Sequence, residues 1–213
     1  MSTSWVPVVF TIATFLSLSP SLPLWTSLSS STAFGALDDN STPPTSSSAS
    51  ESIVSHPDLN YELASLLFSL AALYSSLGAN ESRSDKESLK RSLSYFQTAA
   101  GVLAHIRDKV VPQMEHLQPV CPDMTPAMLE ALEQVMLAQA QECFWQQAVL
   151  DGLKNATIAK LSQAVSEFYA AALEVTERKA ASSTMKAEDR GKADLPREWV
   201  AHITVKKHHF KAA

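Results

Sequence analysis

LNYELASLLFSLAALYSSLG, residues 59–78, sets Leu59, Leu63, Leu66, Leu67, Leu70, Leu73, Tyr74 and Leu77 at successive three- and four-residue steps. Such steps hold apolar side chains on one side of an α-helix, because each residue turns the chain by about 100°. The stretch predicts a helix roughly 30 Å long at about 1.5 Å per residue. Gly78 reads as its C-cap, since glycine closes a helix in the left-handed conformation without steric cost.

Downstream the same period returns. Ser84-Asp85-Lys86-Glu87 has the form of a capping box, in which Ser and Glu each satisfy a free backbone amide. Leu89, Leu93, Phe96, Ala100, Leu103 and Ile106 then form a second stripe, closed by Pro112. Thr125-Pro126 opens a third helix with an N-cap and a first-turn proline. Leu129, Leu132, Val135, Met136, Ala140, Cys143, Phe144 and Val149 run along it to the turn at Asp151-Gly152. A fourth helix carries Ile158, Leu161, Val165, Phe168 and Ala172 and fades into the polar stretch 179–192. Asp194-Leu195-Pro196 starts a fifth. Long amphipathic helices joined by short turns form antiparallel hairpins. The expected fold is all-α, with hairpins stacked in the tetratricopeptide manner through alanines on their inner faces, although no strict 34-residue repeat is present.

Upstream the chain is a different polymer. Within residues 1–50 the only charged side chains are Asp38 and Asp39. Val6–Leu18 is an apolar run of signal-peptide length, but no Lys or Arg precedes it, and it is shorter than the roughly 20 residues of a membrane span. Asn40, Asn80 and Asn155 head glycosylation sequons that matter only if the chain is secreted. Thr26–Ser55 is rich in Ser and Thr around Pro43-Pro44 and reads as a disordered linker with little apolar surface to offset its entropy. The expected division is 1–57, apolar start and linker, and 58–213, the helical domain.

Bulk composition narrows the function. The 213 residues are 46% hydrophobic with five glycines, which supports a core built of long helices. A formal net charge of −5 offers nucleic acid no electrostatic attraction. Two cysteines, Cys121 and Cys143, are too few for a disulfide scaffold and fit buried apolar roles in a reducing compartment.

Catalytic and metal-ligating patterns do not emerge. Glu130, Glu133 and Glu142 lack a histidine at ligand spacing and read as a solvated face, while the polar run Gln139–Glu142 suits hydrogen bonds between helices. His202, His208 and His209 lie among Lys206, Lys207 and Lys211 without zinc-site spacing, again a solvated face. No nucleophile motif or glycine-rich phosphate loop is present. No enzyme activity, cofactor, metal or small-molecule substrate is expected.

Three ordered blocks carry a family resemblance. LAQAQECFW at 137–145 with KNATIAKL at 154–161, LLFSLAALY at 66–74, and Leu89-Lys90 leading to YFQTAAG at 95–101 together resemble the Bro domain of ALIX-like endosomal scaffolds. Glu142–Trp145 and Ala156–Lys160 look most like the fungal PalA type, the pH-response regulators. The resemblance runs from about Tyr61 onward. It implies a boomerang-shaped, non-catalytic helical domain that binds the C-terminal amphipathic helix of an ESCRT-III subunit, with membranes reached only through that partner. It also implies a cytoplasmic protein recruited to endosomes. The family's groove contacts map to Thr157 and Leu161, with Lys90 and the Asp85–Lys86 region beside them. Thr157 departs from the isoleucine of the animal scaffold. The family's strand-containing front portion and its V-shaped second domain have no counterpart here, so the expected domain is incomplete, with apolar faces left exposed and poor solubility.

Independently of the resemblance, Thr157 and Leu161 lie one turn apart on one helix face, where an incoming helix can insert apolar side chains. The alternative for Leu161 is an ordinary core position; Ile158 and Val165 are assigned to the core. Two other readings of the chain stay open at this point: a secreted or membrane-anchored helical protein using Val6–Leu18, and a nonfunctional truncated product.

Overall fold

A computed structural model describes residues 58–114, 122–182 and 195–212. Among these residues there are five α-helices and no strands: α1 Leu59–Asn80, α2 Lys86–His105, α3 Pro126–Leu150, α4 Asn155–Ser182 and α5 Arg197–Ala212. Each helix packs on the one before it, giving the stacked-hairpin series expected from the short turns. The apolar run Val6–Leu18, the Ser/Thr-rich tract, Cys121 and Asp194 lie outside the described residues.

The helix starts follow capping chemistry, with one shift of register. Asp58 caps α1 by accepting from the amides of Asn60 at 2.8 Å and Tyr61 at 3.1 Å. On α2 the capping box is Asp85 with Ser88, one residue later than Ser84 with Glu87. The Asp85 carboxylate accepts from the Glu87 and Ser88 amides, and the Asp85 amide donates back to Ser88 Oγ. An Asp carboxylate carries full charge toward the positive helix end, which a serine hydroxyl does not. Thr125 caps α3 with Pro126 at its first position, as the sequence indicates. After His105 the chain leaves α2 through a π-helical turn, Ile106–Val110, and a 3-10 turn that contains Pro112.

Helix α1 overturns the reading of its own stripe. The face turned to the core carries Tyr61, Ala64, Ser65, Phe68, Ala71, Ala72, Ser75 and Gly78. Six of the stripe's leucines lie on the opposite side: Leu59, Leu63, Leu66, Leu70, Leu73 and Leu77 are all exposed, Leu59 by 80%, while Leu67 and Tyr74 are half-buried and pack against the core. Small residues win the core face because they let α2 come close. Gly78 shows this most directly, for a Cβ there would stand 3.1 Å from the Phe96 ring. Gly78 is therefore an interior helical residue and not a C-cap. Its carbonyl accepts from Ser92 Oγ at 2.7 Å, and the helix runs on to Asn80.

Helix α3 is the centre of the stack. Leu129, Leu132, Val135, Met136, Ala140 and Cys143 are buried, as the pattern predicts, but so are Ala131, Ala138, Gln139, Glu142 and Ala148 around its circumference. Phe144 and Val149, assigned to the core from their spacing, are instead 47% and 44% exposed. Helix α5 reaches α3 across α4. The Phe210 and Trp145 rings meet edge-on at 5.3 Å, and Trp199 and Ile203 are buried. Two serines on α4 hold the end of α5: Ser162 Oγ donates to the Phe210 carbonyl at 2.6 Å and Ser166 Oγ to the Lys207 carbonyl at 3.0 Å. The Phe210 carbonyl is in the last turn of α5, where the helix supplies no amide of its own.

Candidate partner-binding site

The turn between α3 and α4 is built by a Schellman motif. Gly152 sits at φ 65°, its amide donates to the Val149 carbonyl at 3.1 Å, and the Leu153 amide donates to the Ala148 carbonyl at 3.1 Å. The reversal sends α4 back along α3 and leaves its first two turns at the end of the bundle. There Thr157 is exposed, Leu161 is half-buried and outside the apolar core cluster, and Val165, one turn further, is buried. The face thus grades from solvent to core along a single row. Ile158, assigned to the core from sequence, is only half-buried and does not join the core cluster, in the first turn of α4 where residues 155–157 are exposed.

An ion pair brings the start of α2 to the same end. Lys86 Nζ pairs with the Asp151 carboxylate in the α3–α4 turn. Lys90, one turn along α2, pairs with Glu87 at 3.0 Å and is exposed. Asp85 occupies that end as well, but its carboxylate is engaged by the α2 amides. Hydrogen bonding from the Ser88 amide, then from the Ser88 side chain, holds its pKa below the ordinary carboxylate value. The structure therefore gathers Lys86 and Asp85 near the α3–α4 turn, with Lys90 following on α2. Sequence reading missed the apolar rim of that turn: Val149, Leu150 and Leu153 are 44%, 55% and 45% exposed. A hydrophobic residue directly after the αL glycine was the available signal.

Behind this end lies a buried polar cluster. Glu142 on α3 is buried and accepts from Tyr169 Oη on α4 at 2.6 Å and from Lys206 Nζ on α5 at 3.0 Å. Arg83, in the loop before α2, lies 3.8 Å from the same carboxylate and stacks over the Phe96 ring at 5.6 Å. The solvated-face reading of Glu142 and Lys206 is thus wrong. The expectation that the polar run in α3 bonds between helices is right for Glu142. Glu133 is also engaged, by Arg107. The neighbouring Cys143 thiol lies 3.3 Å from Ser92 Oγ, and burial pushes its pKa up. A buried thiol so placed is a packing group, not a nucleophile.

Chemically, this arrangement suits binding. Exposed apolar residues rim the α3–α4 turn to which Lys86 pairs, and a half-buried leucine follows on α4, while the polar cluster ties α3, α4 and α5 together.

Comparison with known proteins bears on the family and the helical fold. The BRO1-like domain family model matches residues 41–213. The pH-response regulator protein palA/RIM20 of Emericella nidulans is 44% identical over 160 residues, covering 75% of this chain and 17% of its own length. The palA/RIM20 protein of Saccharomyces cerevisiae is 37% identical over 154 residues, 72% of this chain and 21% of its own. Rhophilin-2-B of Xenopus laevis is 34% identical over 161 residues, 75% of this chain and 22% of its own. Among solved structures, the ALIX BRO1–CHMP4C complex superposes with a TM-score of 0.60 at 29% identity, covering 72% of this chain and 39% of that one. ALIX bound to the SIVmac239 PYKEVTEDL late domain gives 0.61 at 29% identity, over 72% and 20%. The chain spans about a fifth of the length of these curated relatives.

Proposed function

The chain belongs to the BRO1-like domain family, and from that premise we propose that it is a non-catalytic scaffold that binds the C-terminal amphipathic helix of an ESCRT-III subunit. Leu161 supplies the apolar floor of the site and Thr157 its outer contact through the γ-methyl. Lys90 and Lys86 flank it, and Asp85 acts by setting the start of α2. An amphipathic helix laid in this groove covers apolar surface on one side and meets the lysines on its acidic edge. The single observation that carries the reading is the position of Leu161, half-buried but outside the core, one turn from exposed Thr157. The ALIX BRO1 domain in its complex with CHMP4C shares this fold, which supports the same class of partner. Such a protein acts in endosomal sorting and fungal ambient-pH signalling, working from the cytoplasm and reaching endosomal membranes through its partner.

The test is titration of a fluorescent peptide from the C-terminal helix of the fungal ESCRT-III subunit. Leu161→Asp places a charge on the apolar floor and is expected to weaken binding by about 100-fold or more. Thr157→Ala should weaken it only about 3-fold. Val205→Asp, on an exposed α5 position, should change nothing. Unaltered affinity in a folded Leu161→Asp protein rejects the site.

A further inference from the structure

Arg83 lies in the loop 81–85 between α1 and α2 and sends its side chain into the bundle, where it is 5% exposed. Its Nη1 stands 3.8 Å from Glu142 Oε2, and the guanidinium carbon is 5.6 Å from the centre of the Phe96 ring. Among the described residues none of its three guanidinium nitrogens makes a hydrogen bond. Lys206 already meets both oxygens of the Glu142 carboxylate at 3.0 Å. Two buried cations therefore face one acid, and Arg83 is the more loosely held. A buried charge in this state adds little to stability, since an apolar side chain of similar volume avoids its desolvation cost. What the side chain does settle is where the loop lies.

The other side chains of this loop bond locally. Glu81 pairs with Arg91 of α2 at 3.0 Å, Ser82 Oγ meets Ser84 Oγ at 2.7 Å, and Asp85 caps α2. Arg83 is the loop side chain that reaches α3. We infer that Arg83 is a positioning residue for the partner site proposed above, on which this role rests. Its guanidinium, held against Glu142, pins the loop to α3 and so places Lys86 and Lys90 at the end of the bundle where α4 starts. Only the α2 cap separates Arg83 from Lys86, and Lys86 pairs with Asp151 in the α3–α4 turn. The short segment is thus tied to α3 inside the bundle and to the end of α3 outside it. With Arg83 released, the outer tie is an exposed ion pair, which holds little alone. The two lysines then lose their fixed distance from Leu161.

Two variants of the full chain test this: Arg83→Met, which keeps an unbranched stem and drops the charge, and Arg83→Lys, which keeps the charge. Lys206 still neutralises Glu142 in both, so the melting temperature of Arg83→Met is expected to hold or rise. Amide exchange over residues 84–90, measured without peptide, should quicken about 10-fold in Arg83→Met and stay within about 3-fold of the parent in Arg83→Lys. The fluorescent ESCRT-III peptide should bind Arg83→Met about 10-fold more weakly, and with less dependence on salt, because the displaced lysines no longer meet its acidic edge. Unchanged exchange in Arg83→Met overturns the proposal even where affinity falls, since the lost charge then acts by itself. Faster exchange with unchanged affinity and salt dependence overturns it too. So does a lowered melting temperature in Arg83→Met, which makes Arg83 a stabilising residue of the core. Failure of the parent to bind the peptide rejects the partner reading instead, while the exchange measurement, made without peptide, still decides whether Arg83 holds the loop.

Discussion

Tyr169 donates its hydroxyl to Glu142 Oε1 at 2.6 Å, joining α4 to α3 inside the bundle. Lys206 from α5 and Arg83 from the loop before α2 meet the same carboxylate, with side chains 14% and 5% exposed. One acid thus neutralises two largely buried cations and ties four segments together. Glu142→Gln leaves both cations without a counter-charge and is expected to destabilise the fold by about 3–5 kcal/mol. Tyr169→Phe, which leaves Lys206 in place, should cost about 1–2 kcal/mol. Urea unfolding of the two variants checks the order, and a Glu142→Gln protein as stable as the parent refutes the assignment.

The same contact predicts an alkaline limit. Burial first, and the Glu142 charge second, raise the Tyr169 pKa well above its ordinary value near 10.0. The folded state therefore holds a proton that the unfolded chain releases. The contribution is fully present below the unfolded pKa and declines as pH rises from about 10 through the folded value. Stability measured across this range should fall more steeply in the parent than in Tyr169→Phe. Parallel curves exclude the link.

Two helical glycines should respond to alanine with opposite signs. A Cβ at Gly78 meets three atoms of the Phe96 ring at 3.1 Å, and the ring is fully buried, so Gly78→Ala forces the α1–α2 contact apart. A loss of about 1–2 kcal/mol is expected despite the better helix propensity. At Gly101 nothing lies within 4 Å, so Gly101→Ala should gain about 0.5–1 kcal/mol. Thermal unfolding of both variants decides it.

The register of the α2 cap is equally testable. Asp85→Ala removes the acceptor of two amides, whereas Ser84 lies outside the box, so Asp85→Ala should lower the melting temperature clearly more than Ser84→Ala. Because the Asp85 pKa is lowered in the fold, its contribution is present above the unfolded value and lost as pH falls through the folded one. The gap between Asp85→Ala and the parent should therefore close in acid. A gap independent of pH points to a different cap.

Local chemistry made much of the architecture legible. Thr125-Pro126, Asp151-Gly152 and the α2 stripe from Leu89 to Ile106 each satisfy backbone or side-chain needs within a few residues, and the structure keeps them. The family resemblance in the blocks at 66–74, 95–101 and 137–161 was equally a property of the chain read in order. What periodicity cannot rank is two apolar faces on one helix. On α1 it favours the leucines because they are larger and more hydrophobic, yet the core takes the Ala, Ser and Gly face because close approach to Phe96 requires small residues. Nor can a linear reading supply the partners of Glu142, which come from positions 83, 169 and 206. The sequence by itself determined that helices lie here and roughly where they turn, since those choices are settled by neighbours along the chain, but it misplaced the end of α1 and the cap and end of α2. Only the tertiary structure decided which faces are covered, that Leu161 stays half-open, and that a charged cluster lies within the bundle, because each depends on shape and charge from segments far apart in sequence.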